Sequence, residues 1–167
     1  MQRVIAGLCL LLAGSVCLAQ NKRKQSPQTT PPNLTGTWLL DESKSKMSPK
    51  LTDYTLVIEH REPEIRMSKK YMLGKKEIRQ ETVYYTDGRP EIDSQRRTSF
   101  PEPEVRWRGQ TLVRRSISKN WGSSLEIETV SYDEWSLSPD NQTLTRTSTT
   151  TGTGFKLETK AVFRRAQ

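Results

Sequence analysis

From Leu34 to the C-terminus, apolar side chains recur at every second position, and no other feature constrains the fold as strongly. Leu56 and Ile58 alternate with Thr55 and Glu59, Ile65 and Met67 with Arg66 and Ser68, and Val105 and Trp107 with Arg106 and Arg108. The last run is the clearest: Phe155, Leu157, Thr159, Ala161 and Phe163 share one parity, Lys156, Glu158, Lys160 and Arg164 the other. A period of two is that of a half-buried strand and leaves little room for helix. Leu, Ile, Val and Phe number only 26 between Gln20 and Gln167. A strand with one wet face needs apolar groups at only half its positions, so this low count fits an antiparallel sheet rather than disorder.

Turn-forming residues separate the runs at Glu62-Pro63, Gly74, Asp87-Gly88, Gly109, Gly122, Pro139-Asp140-Asn141 and Gly152-Thr153-Gly154. Such short connections pair sequential neighbours as a meander. Strands are predicted near 35–40, 53–60, 64–71, 76–86, 93–99, 104–108, 111–119, 124–137, 142–150 and 155–165, with one helical turn at Asp41–Met47. The fold class is therefore all-β, an antiparallel up-and-down meander closing into an 8 to 10 stranded barrel; a two-sheet sandwich is the alternative. Closure removes the two exposed edges that an open sheet of this size would carry. The outward parity is charged at Arg66, Arg106, Glu126, Glu128, Lys156 and Lys160, which excludes an outer-membrane barrel with its apolar band.

A chain of 167 residues is one domain by default. Residues 1–19 read as a secretory signal: Arg3 precedes the apolar run Val4–Leu12, and Cys17-Leu18-Ala19 presents small residues for cleavage after Ala19. Residues 20–32 form a basic, proline-rich leader expected to be disordered, and 33–167 the barrel domain. Both cysteines, Cys9 and Cys17, fall in the segment to be removed, so stability rests on a core rather than on disulfides. The expected location is secreted or periplasmic.

Gly36-Thr37-Trp38 falls on the first strand, and Phe163-Arg164-Arg165 on the last. This resembles the lipocalin pattern of the calycin superfamily, and among its members the short lipocalin-like β-barrel proteins exported by bacteria. The resemblance implies a Trp lying across the closed barrel end with an Arg from the last strand over its ring, close to Gly36. Those roles fall on Trp38 and on Arg164 or Arg165, of which Arg165 shares the parity of Phe163.

Inward parity also collects Ile58, Met67, Tyr84, Trp107, Ile127, Trp135, Phe155 and Leu157 as candidate lining of an interior cavity. A filled core is the alternative for a barrel of this size. The inward polar residues Gln80, Thr82, Thr129 and Thr159 favour a cavity, because a packed core wants apolar groups. His60 is the sole histidine and reads as an exposed strand-end residue rather than a haem ligand; without further His or mature Cys, neither metal nor cofactor is expected. No nucleophile elbow or phosphate loop occurs, and the neighbours Asp133 and Glu134 face opposite ways, so no catalytic residue is assigned.

Residues 61–119 hold 15 Lys and Arg against 9 acids, and residues 120–151 one against five. The pairs Lys69-Lys70, Lys75-Lys76, Arg96-Arg97 and Arg114-Arg115 suggest a basic surface. The expected function is that of an exported, monomeric, non-catalytic barrel binding a small apolar or amphipathic ligand inside. The alternative is a solid-core module docking an anionic envelope component; nucleic acid is not an expected partner.

Overall fold

The computed structural model describes residues 30–94, 103–120 and 127–167. Ten antiparallel strands follow in chain order: β1 (Gly36–Leu40), β2 (Thr52–Arg61), β3 (Glu64–Leu73), β4 (Lys76–Tyr85), β5 (Ile92–Asp93), β6 (Glu104–Arg108), β7 (Thr111–Asn120), β8 (Ile127–Leu137), β9 (Thr143–Gly152) and β10 (Phe155–Arg165). They form one sheet in the order β5-β4-β3-β2-β1-β10-β9-β8-β7-β6. The meander expected from the alternation is thus present, and β1 joins its two halves by pairing with both β2 and β10.

The sheet curls through 278° into an open half-barrel. Its edges are β5 and β6, which share no backbone pairing among the described residues. Side chains span this seam instead. Near one end Trp107 of β6 donates Nε1–H to Glu62 and stacks on His60, ring centroids 5.8 Å apart. Farther along, Arg114 of β7 grips Glu91, just before β5, through Nε and Nη2 at 2.6 and 2.7 Å. Most of the strand predicted over 93–99 lies outside the described residues, as do the signal at 1–19 and most of the leader. Asp41–Met47 makes successive turns, with Lys44 N–H donating to Asp41 O and Ser45 N–H to Glu42 O, before Lys46 bridges to Lys160. No helix forms there, because that backbone pairing to β10 satisfies the segment. Among the described residues no helix is long and apolar enough to cross a membrane.

The core sits at one end of the half-barrel. Leu34, Trp38, Leu56, Ile58, Ile65, Met67, Leu112, Trp135, Leu144 and Phe163 are each at most 1% exposed. Trp38 lies within this core: its Nε1–H donates to Leu34 O at 3.1 Å, and the Arg165 guanidinium lies 4.3 Å from its ring centroid, a cation–π distance. Arg165 is held in turn by Thr35 O and Asn141 O, both at 2.9 Å. Gly36 makes room for it: a Cβ there would stand 2.5 Å from Arg165 Nη1, and the backbone has φ +151°.

Candidate functional site

Strand register sets which side chains lie beyond the apolar end. On β3 the inward row runs Ile65, Met67, Lys69, Tyr71, and its partners on β4 run Tyr84, Thr82, Gln80, Ile78. On β7 and β8, Leu112 faces Trp135 and the next inward pair is Arg114 with Asp133; on β9, Leu144 is followed inward by Arg146. One step beyond the core, the inward parity therefore turns ionic on four strands at once. These side chains line an interior cavity of about 210 Å³ with Tyr54, Tyr71, Tyr84, Thr82, Gln80 and Asp93.

The layer is a network. Asp133, 6% exposed at the side chain, accepts from Arg146 at 2.8 Å and from Arg114 at 3.4 Å. Burial alone would raise its carboxyl, but the Arg146 charge, hydrogen bonds from Ser148 and Arg146, and the Arg114 charge hold it below the usual carboxylate range. Burial likewise works against the Arg146 and Arg114 cations, and their carboxylate partners outweigh it. Arg114 also bonds Ser116, and Arg146 lies 5.4 Å from the Trp135 ring centroid. Gln80 donates to Asp93 at 2.8 Å.

Lys69 stands apart. Among the described residues its ammonium makes one hydrogen bond, 3.4 Å to Thr82 Oγ1, and no carboxylate lies within 4 Å. Burial, reinforced by the Arg146 and Arg114 charges and opposed by Asp133 and Asp93, pulls its pKa down to about 8. Burial raises Tyr54 to about 12 and Tyr84 further still, so both phenols stay protonated at neutral pH.

The lining residues expected from sequence separate into groups. Tyr84 lines the cavity. Ile58, Met67 and Trp135 belong to the packed core beneath it, and the indole N–H of Trp135 is buried without a partner among the described residues. Trp107 packs at the seam rather than in the cavity. Phe155 and Leu157 carry the inward parity of Phe163, yet they are 47% and 44% exposed and do not line this cavity. Their part of β10 extends past β1, which pairs with it only at Phe163–Arg165, so among the described residues β1 does not cover them. The side chain of Ile127 lies outside the described residues.

His60 is not the exposed residue expected. Its side chain is 4% exposed, its Nδ1 accepts the Leu34 N–H at 3.2 Å, and its Nε2 meets Glu62 Oε1 at 2.9 Å. An accepting Nδ1 places the ring proton on Nε2, facing Glu62, so both nitrogens serve the fold. Burial would raise the Glu62 carboxyl, but hydrogen bonds from Thr86, His60 and Trp107 hold it low. Among the described residues no cluster of three His, Cys, Asp or Glu is placed to hold a metal.

Two larger hollows, of about 780 and 660 Å³, open on the outer surface. The lining of the first includes Glu59, Arg61, Glu64, Arg66 and Arg89, and that of the second Val57, Ser68, Lys70, Arg79, Glu81 and also Lys69. Apart from Lys69 these charged groups face solvent and pair locally, Arg66 with Glu64 at 2.9 Å and Lys70 with Glu77 at 3.3 Å. Exposed pairs of this kind are screened by water. The smaller interior cavity holds the charges that burial makes consequential.

Lys69, Arg114, Asp133 and Arg146 are absent from the lining expected from sequence, where Lys69 and Arg114 count as surface cations. Parity could have found them, since each lies two residues from a core side chain: Met67, Leu112, Trp135 and Leu144 respectively. No family model, curated protein or solved structure matches this chain.

Proposed function

We propose that the protein is an exported, lipocalin-like, non-catalytic binding protein that holds a small amphipathic ligand in its half-barrel, acidic end inward. The observation that carries this reading is Lys69, a cation in an interior cavity with no carboxylate within 4 Å among the described residues. A wholly apolar ligand would strip water from Lys69, Arg146 and Asp133 and return no partner. An amphiphile with a carboxylate supplies the missing counterion, and its short apolar part lies against Leu51, Tyr54 and Tyr71. The Trp38–Arg165 contact with Gly36 beside it supports the lipocalin-like reading, and the sequence of residues 1–19 supports export to the periplasm or beyond.

The outer surface offers the competing basic face less support. Arg66, Arg79, Arg108 and Lys156 each stand within 3 Å of a carboxylate, on Glu64, Glu77, Glu134 and Glu158. The test is native mass spectrometry of the detergent-free protein with hexanoate and, separately, hexanol. Hexanoate should bind as a discrete adduct, hexanol should not, and Lys69→Met should weaken the acid about tenfold or more, the loss of one charge-assisted contact. Equal binding of acid and alcohol, no binding of either, or indifference to Lys69→Met would reject the reading.

A further inference from the structure

We propose that Lys69 captures small aldehydes covalently, as an imine, inside the half-barrel. The proposal rests on the interior-binding reading and adds a reaction to it.

Three cations line the cavity with Lys69 among them, and the other two each hold a carboxylate closely. Arg114 holds Glu91 at 2.6 and 2.7 Å and reaches Asp133; Arg146 holds Asp133 at 2.8 Å. Guanidinium groups keep their charge, so of the three only the lysine can give up a proton. Its pKa of about 8, lowered chiefly by burial, places a usable share of free amine at neutral pH. A free amine is the form that attacks a carbonyl.

The step is balanced without any redox partner. The Nζ lone pair forms a bond to the carbonyl carbon, and the C=O π electrons move to oxygen, which takes up a proton as nitrogen loses one, giving a carbinolamine. That hydroxyl then leaves as water after accepting a second proton, while nitrogen closes the C=N bond and releases its remaining proton. Amine and aldehyde thus become imine and water. The departing hydroxyl takes its proton from solvent, while Tyr54 and Tyr84, which line the same cavity and stay protonated, can donate hydrogen bonds to the carbonyl oxygen. A cavity of about 210 Å³ suits a compound the size of a single substituted ring.

The experiment treats the protein with substoichiometric benzaldehyde and sodium cyanoborohydride at pH 7. The reductant delivers hydride to the imine carbon and traps a stable secondary amine, and peptide mass spectrometry locates it. Lys69 should be labelled about tenfold or more ahead of Lys44, Lys50, Lys75, Lys76 and Lys156, which lie at the surface. The α-amine titrates near the same pH and is scored apart on its own peptide. Lys69→Arg should abolish the preferred lysine adduct while circular dichroism reports an unchanged fold. Labelling that follows surface exposure, or a first lysine adduct that survives in Lys69→Arg, overturns the proposal. Failure here with hexanoate still bound at the same site rejects imine formation alone. Failure of hexanoate as well removes the binding reading beneath it.

Discussion

Asp133 shows how much can depend on one side chain. Among the described residues it is the carboxylate that pairs with both interior guanidiniums, at 2.8 and 3.4 Å. Removing one member of a buried pair leaves its partner charged and desolvated, which costs about 3 to 5 kcal/mol. Asp133→Ala should therefore lower urea stability by that order. The double variant Asp133→Leu with Arg146→Met should lose less than the sum of its single changes, since it deletes both charges of one pair. Full additivity in that cycle would mean that the pair is not coupled. Asp133 was legible as inward from its parity with Trp135, but its partners were not. Arg114 lies 19 residues before it and Arg146 13 after it, and only the register of β7 on β8 and of β8 on β9 sets them beside it.

Along β10 a single alternation has two fates. Phe163 is fully buried, packs edge-on against Tyr54 at 5.1 Å and stacks near Trp135, whereas Phe155 and Leu157 on the same face are exposed. The difference comes from β1, a strand of five residues that covers only the last part of β10. Phe163→Ala should cost about 3 to 5 kcal/mol, as core aromatic truncations do. Phe155→Ala and Leu157→Ala should each stay below about 1 kcal/mol, as surface substitutions do. Chemical denaturation of the three variants checks the gradient; comparable losses at Phe155 and Phe163 would show that the far end is packed. The strand itself was readable in full, since the predicted 155–165 matches β10 to the residue. The cover over each half of it was not, because alternation names a face and says nothing about the length of the neighbour.

For the whole molecule the interior charges predict an alkaline limb of stability. Lys69 titrates at about 8 when folded, against an ordinary 10.5 when unfolded. Between those values the unfolded chain binds the extra proton, so stability should rise with pH from about 8 to about 10, by about 1 to 2 kcal/mol once solvent screening is discounted. Above about pH 10 the trend reverses, since Tyr54 is raised to about 12 and the unfolded phenol ionises first. Lys69→Met should flatten the rise. Urea midpoints at pH 7.5, 8.5 and 9.5 for both proteins measure it, and an identical rise in the variant would falsify the assignment to Lys69. At the acid end Asp133 and Glu62, both held low, contribute stability that is lost as pH falls below about 4.

The alternation of side chains and the placement of turn residues determined an all-β meander of eight to ten strands and most strand limits, because both are local consequences of backbone geometry. The same parity determined which residue of each adjacent pair faces inward. Tertiary structure alone decided that the sheet stops at 278° with its open edges between β5 and β6. It also decided that Glu62 and Glu91 span that seam through Trp107 and Arg114, and that the interior is apolar at one end and ionic in the middle. Those outcomes depend on how strands far apart in sequence register on one another and on which charges then share low-dielectric space. No pattern within a single strand encodes that pairing.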